Sequence, residues 1–193
     1  MYQQETGFEF NGTSLCIVQN EACKHLNKAL FFDYNETVVS TLNSRINANK
    51  TPNALALVGD YNNPNKICDD IIRETKGIGL YLIFIDPTDC SIPFSLLQVL
   101  KERLKHVDFI VNFAIKTDFN RNIKNAIQSP DTHQNVINKY KSFLGSDDFF
   151  HNPLIETASL KTYVLYLEKH TSIASKKLVI NFLILNLLKI IMI

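Results

Sequence analysis

Three apolar runs in this chain each lead into a carboxylate. Lys28-Ala29-Leu30-Phe31-Phe32 ends in Asp33, Asn53-Ala54-Leu55-Ala56-Leu57-Val58-Gly59 ends in Asp60, and Leu80-Tyr81-Leu82-Ile83-Phe84-Ile85 ends in Asp86 and Pro87. Short unbroken apolar runs of this kind fit strands buried on both faces, as in a parallel sheet. Pro87 has no N–H for a ladder and biases Asp86 toward an extended or turn conformation, so the third run must stop there. The acids then stand at the carboxyl ends of strands, the edge at which open α/β sheets bind ligands. The chemistry open to them is hydrogen-bond acceptance. An acid after the second strand of a doubly wound sheet can accept from ribose hydroxyls, and one after the third from an adenine amino group. An acid-proline pair after the fourth lies where a second substrate would sit. The plainer alternative is that each acid only caps its own turn.

Other chemistries lack their essential parts. Leu82 to Asp86 resembles the apolar run and aspartate that hold magnesium in P-loop ATPases, but no G-x-x-x-x-G-K-[ST] occurs. Neither G-x-S-x-G nor H-E-x-x-H is present. Asp60, Asp86 and Asp89 suggest a nuclease-like metal cluster, yet no E-x-K element follows on a later strand, so no metal site is assigned. Cys16, Cys23, Cys68 and Cys90 form no C-x-x-C pair and no disulfide framework, which points to a reducing, cytoplasmic setting. His106, His133, His151 and His170 lack ligand spacing, and Arg121 is a candidate anion contact.

The elements that must position the acids follow from periodicity. A helix is expected from Thr13 to Leu26, capped by Thr13 or Ser14. A second begins at Asn35, with Glu36 in its first turn and Val38, Val39, Leu42 and Ile46 on one face, and Pro52 ends it. Asn65–Glu74, Ile92–Leu104 (with Pro93 in its first turn), Asn120–Ile127 and Val136–Leu144 read as further helices. Asp108–Phe113 reads as a buried strand and Thr162–Leu167 as an edge or antiparallel one. This alternation predicts one α/β domain with a mostly parallel sheet and flanking helices over residues 1–178. Residues 179–193 form an almost wholly apolar tail, shorter than the roughly 20 residues that span a bilayer. The 193 residues, with 46% hydrophobic and 20% charged residues, suit a soluble globular protein. A net charge of +1 gives no global case for a nucleic-acid or membrane partner.

The order of these motifs resembles the three-Cys-motif partner protein (TcmP) family, bacterial proteins with a Rossmann-like, class I methyltransferase-like fold. Gly12-Thr13-Ser14-Leu15 is similar to its glycine-serine-proline-leucine segment, with departures at Thr13 and Ser14. Leu30-Phe31-Phe32-Asp33 stands in place of its phenylalanine-isoleucine-glutamate strand, and Val58-Gly59-Asp60 matches its glycine-aspartate element. Phe84-Ile85-Asp86-Pro87 matches its aspartate-proline motif, with Thr88 in place of an aromatic residue. Asp108 to Phe113, then Asn120-Arg121, resemble its next strand and turn, and Tyr163 to His170 its closing strand.

The resemblance implies S-adenosylmethionine-dependent methyl transfer, or a role derived from it, with a three-Cys-motif protein as partner. Asp33 would meet the ribose, Asp60 the adenine, and Asp86 and Pro87 would line the acceptor side. Nucleic acid is open as an acceptor, although no basic stripe supports it. The family's first strand and its aspartate-glycine-phenylalanine-alanine-glycine loop have no counterpart here, so the expected fold is incomplete at its amino end. Gly7 and Gly12 are too far apart to replace the loop. Weak or no binding of S-adenosylmethionine is therefore expected. The competing reading is a non-catalytic binding or assembly protein that keeps the fold without the cofactor site. The lost strand would leave a gap beside Leu80–Ile85 and a poorly stable or associating chain. Leu30–Phe32 pairing directly with Leu80–Ile85, or the apolar tail, could close that gap.

Overall fold

A computed structural model describes residues 11–87, 89–112, 118, 120–147, 150 and 188–192. Strands β1 (Lys28–Asp33), β2 (Ala54–Val58), β3 (Leu80–Ile85), β4 (Val107–Val111) and β5 (Leu188–Met192) form one sheet in the order β2-β1-β5-β3-β4. Every pairing in it is parallel. Helices α1 (Thr13–Gln19), α2 (Glu36–Ala48), α3 (Pro64–Thr75), α4 (Phe94–Arg103), α5 (Asn120–Gln128) and α6 (Gln134–Leu144) lie around it. Among the described residues no helix is long and apolar enough to cross a membrane.

Strand alternation sends neighbouring side chains to opposite faces. Leu30 of β1 joins Ile67, Cys68 and Ile71 of α3, Tyr81, Ile83 and Ile85 of β3, and Leu96 and Leu100 of α4 in one core. Ala29 and Phe31 turn the other way, into a second core with Val18 of α1 and Val39 and Ile46 of α2. The sheet thus carries helices on both faces. β3 is not buried evenly on both sides as its apolar run suggests. Tyr81, Ile83 and Ile85 are buried, while Leu80, Leu82 and Phe84 are half-buried.

Local chemistry sets most boundaries. The Asn35 side chain accepts hydrogen bonds from the N–H groups of Thr37 and Val38 and starts α2. Asn63 does the same for α3 through the N–H of Lys66, with Pro64 in the first turn. Asn43 of α2 bonds both the N–H and the carbonyl of Ala56 at 2.9 Å, which occupies backbone groups on the outer edge of β2.

The expected helix from Thr13 to Leu26 breaks in two. Asn20 is extended (φ −75°, ψ 136°) and its side chain accepts from the N–H of Ala22, so a separate 3₁₀ turn runs from Glu21 to His25. A short polar side chain here competes with the helix for backbone donors. Gly12, not Thr13 or Ser14, occupies the cap position of α1, and no side chain bonds there. Pro93 likewise stands at the cap of α4 rather than within its first turn. The expected strand Thr162–Leu167 lies outside the described residues.

The centre of the sheet is filled from the far end of the chain. β5 pairs with β1 from Lys28↔Lys189 to Phe31↔Met192 and with β3 from Leu80↔Leu188 to Phe84↔Met192. β1 and β3 therefore do not pair directly.

Candidate functional site at the carboxyl edge

Parallel pairing places the carboxyl ends of all the strands on one edge. Asp33 is the last residue of β1, Asp60 lies two residues beyond β2, and Asp86 follows β3 directly. The three acids predicted from the strand ends therefore share an edge. β5 lies between β1 and β3, so the strands that carry Asp33 and Asp86 are two spacings, about 10 Å, apart.

A crevice of about 290 Å³ opens there. Asp33 and Asp86 line it together with Phe31, Phe32 and Ala56 from the sheet, Val38, Val39 and Leu42 from α2, and Thr13 and Ser14 from α1. One wall is apolar, two carboxylates stand at the sheet edge, and two hydroxyl-bearing residues close the side. Thr13 and Ser14 were read from sequence only as helix caps. Both residues instead line the crevice.

Each edge acid is held by a local donor. The N–H of Asn35 donates to Asp33 Oδ1 at 2.8 Å, and Asn112 Nδ2, just past β4, donates to Asp86 Oδ1 at 2.6 Å. Among the described residues no hydrogen bond to Oδ2 of either acid is found, so each keeps acceptor capacity for a ligand.

Asp60 shares the edge but is not among the residues that line the crevice. Its Oδ1 accepts from the N–H of Asn62 at 2.8 Å, and the chain turns there toward α3, on the opposite face from α2. Pro87 is half-buried and also lies outside the lining. Gly59 is required where it stands. A Cβ there would lie 2.6 Å from Cδ1 of Phe32, and its N–H donates to the Asp33 carbonyl at 3.0 Å. A Cβ added at Gly12 would meet nothing within 4 Å, so a side chain is tolerated there.

A second acidic group lies beyond the ends of β3 and β4. Asp118 is buried, and its Oδ2 accepts from Lys139 Nζ at 2.6 Å and the N–H of Cys90 at 2.8 Å. Its Oδ1 accepts from Asn122 Nδ2 at 2.8 Å and from the Tyr140 hydroxyl at 3.4 Å. Burial alone would raise the Asp118 pKa, but Lys139, the Cys90 N–H and Asn122 together hold it below the ordinary aspartate value. Burial, and then the Asp118 charge, push the Cys90 thiol up to about 12, so it is no nucleophile at neutral pH. Asp89 joins through Lys139, whose Nζ lies 3.7 Å from its Oδ2, while its Oδ1 accepts from the Ser91 hydroxyl, which also meets that of Tyr61 at 2.9 Å. This network fixes the segment that follows Asp86 and Pro87. Sequence gave little sign of it, because Lys139 and Asp118 stand 21 residues apart on different elements.

Among the described residues no group of three or more His, Cys, Asp or Glu is placed to hold a metal ion. No family model, curated protein or solved structure matches this chain.

Proposed function

We propose that this chain is a Rossmann-like, methyltransferase-like domain of the three-Cys-motif partner type whose crevice binds an adenosyl ligand, in the first instance S-adenosylmethionine. The observation that carries the reading is that Asp33 and Asp86 line one crevice at the carboxyl edge of a parallel sheet. The strand order adds support. With β5 counted as the first strand, β2-β1-β5-β3-β4 reads as 3-2-1-4-5, the order of a doubly wound sheet with its switch point at the central strand.

The donor set suits part of such a ligand. Asp33 can accept from ribose hydroxyls, and Phe31, Val38 and Leu42 offer an apolar wall to the base. A volume near 290 Å³ is at the small end of ligand pockets, which begin at roughly 300 Å³. When bound, S-adenosylmethionine would supply an electrophilic methyl group. The chain's own contribution at the acceptor side would be orientation by Asp86, held by Asn112, with Pro87 stopping the strand behind it. Asp60 carries the same kind of single local donor as Asp33 and is assigned no part here only because it is not among the crevice-lining residues.

One observation favours a second reading, a non-catalytic binding or assembly protein of the cytoplasm. Among the described residues no glycine lines the crevice, so none of them matches the close backbone approach expected under the cofactor's amino-acid end. Calorimetric titration of the whole chain with adenosine and with S-adenosylmethionine separates the readings. Similar affinities, both weaker than micromolar (about −8 kcal/mol), are the expected result and fit a site that holds only the nucleoside. Much tighter binding of S-adenosylmethionine would favour the enzyme. No binding of either at millimolar concentration would overturn the proposal.

A further inference from the structure

The charged side chains at the crevice are of one sign. Asp33 and Asp86 line it, and each keeps one oxygen to which no described residue donates. Asp60 stands at the same edge, and Glu36, in the first turn of α2, is exposed. Among the described residues that line the crevice none is Lys, Arg or His. The chain as a whole carries +1, so this negative character is local.

A phosphate group needs the opposite surroundings. Proteins hold it with glycine-rich turns at a helix N-terminus, or with lysine and arginine. Among the described residues the lining has no glycine and no cation. The first turn of α1, at Thr13 and Ser14, is the one source of positive partial charge there. A full helix dipole amounts to about half an elementary charge at its N-terminus, and α1 has only 7 residues. Two carboxylates outweigh it. The apolar wall of Phe31, Val39 and Leu42 lowers the local dielectric and extends the reach of both charges. An anionic group brought between them is repelled, whereas hydroxyls donate to the open oxygens.

We propose that the crevice is selective for nucleosides without phosphate, and that Asp86 helps to set this selectivity. The inference rests on the adenosyl reading above. With the ribose at Asp33 and the base against α2, a 5′ substituent is left on the side of β5 and β3, where Asp86 stands. Calorimetric titration of the whole chain with adenosine, adenosine 5′-monophosphate and 5′-methylthioadenosine tests it. The last probe has a bulky 5′ group without charge. The monophosphate should bind at least roughly tenfold more weakly than adenosine at low ionic strength, and 5′-methylthioadenosine about as well as adenosine. At about 1 M ionic strength, where the Debye length falls to about 3 Å, the gap between adenosine and its monophosphate should close. In an Asp86→Asn chain, which keeps the oxygen that accepts from Asn112, the gap should narrow at low ionic strength. Equal binding of adenosine and its monophosphate, a gap that survives salt, or an equal loss with 5′-methylthioadenosine would each overturn the selectivity and leave the adenosyl reading standing. An unchanged gap in the Asp86→Asn chain would overturn the part given to Asp86. No binding of adenosine at millimolar concentration would overturn the adenosyl reading and this inference with it.

Discussion

Asp33 and Asp86, at the crevice, and Asp118, beyond the ends of β3 and β4, are carboxylates at the same end of one sheet in opposite circumstances. Asp86 is exposed and Asp33 half-buried, and each has one local donor on one oxygen. Asp118 is buried, and both of its oxygens are taken by Lys139, Cys90, Asn122 and Tyr140. Buried polar groups have to be satisfied within the protein, whereas exposed ones can leave that to water or a ligand. The contrast divides the labour. The Asp118 group is a clamp that fixes the loop after β3. The crevice acids are each anchored by one local donor, the Asn35 N–H or the Asn112 amide, and keep an oxygen open.

The largest effect should come from breaking the clamp. Lys139→Met leaves the buried Asp118 carboxylate without its cation and should cost about 3 kcal/mol, read as a lower denaturant midpoint. Asp86→Asn, at an exposed site, should stay within about 0.5 kcal/mol of the original chain in the same measurement. Equal losses from the two would erase the distinction between clamp and acceptor.

Gly59→Ala comes next. The added methyl group meets the Phe32 ring, itself part of the crevice wall, at 2.6 Å. Overpacking of this kind costs about 1–3 kcal/mol. Unlike Lys139→Met, it should also weaken nucleoside binding in the crevice, because Phe32 must shift.

A smaller effect should appear with pH. The folded-state pKa of Asp118 lies below its unfolded value, so its contribution is fully present above about pH 4 and is lost as pH falls through the folded value. Asp70 adds to this in the same direction. Burial opposes its ionisation, but Lys66 and Arg73 hold its pKa down. Denaturant midpoints measured from pH 6 to pH 2 should therefore fall below about pH 4. The Lys139→Met chain should show a shallower fall. An identical profile in both chains would mean that Lys139 does not hold the Asp118 proton off.

Much of the frame was readable in the sequence because its signals are local. Apolar runs closed by Asp33, Asp86 and Pro87 mark strand ends, and Asn35 and Asn63 mark helix starts within three or four residues. What escaped was non-local or depended on which face an element takes. Asp60 repeats the strand-acid pattern, but α3 lies on the other side of the sheet and draws its turn away from the crevice. The Asp118–Lys139 pair joins segments that no periodicity connects. The break at Asn20 comes from a side chain competing for backbone donors, which apolar spacing does not register. The apolar tail was legible as one way to fill the gap beside Leu80–Ile85, and β5 does so, while the register that seats it is set by partners more than 100 residues away.

The central claim, that Asp33 is a ligand acceptor while its neighbours at the same edge are not equivalent to it, is tested most directly by titrating adenosine into the original chain and into Asp33→Asn and Asp60→Asn chains. Loss of a hydrogen bond to a charged group is worth about 1.5–3 kcal/mol, so Asp33→Asn should weaken binding by roughly 10- to 100-fold. Asp60→Asn should leave the affinity unchanged, because its carboxylate closes its own turn outside the crevice. Unaltered affinity in the Asp33→Asn chain, or an equal loss in the Asp60→Asn chain, would contradict this account of the crevice.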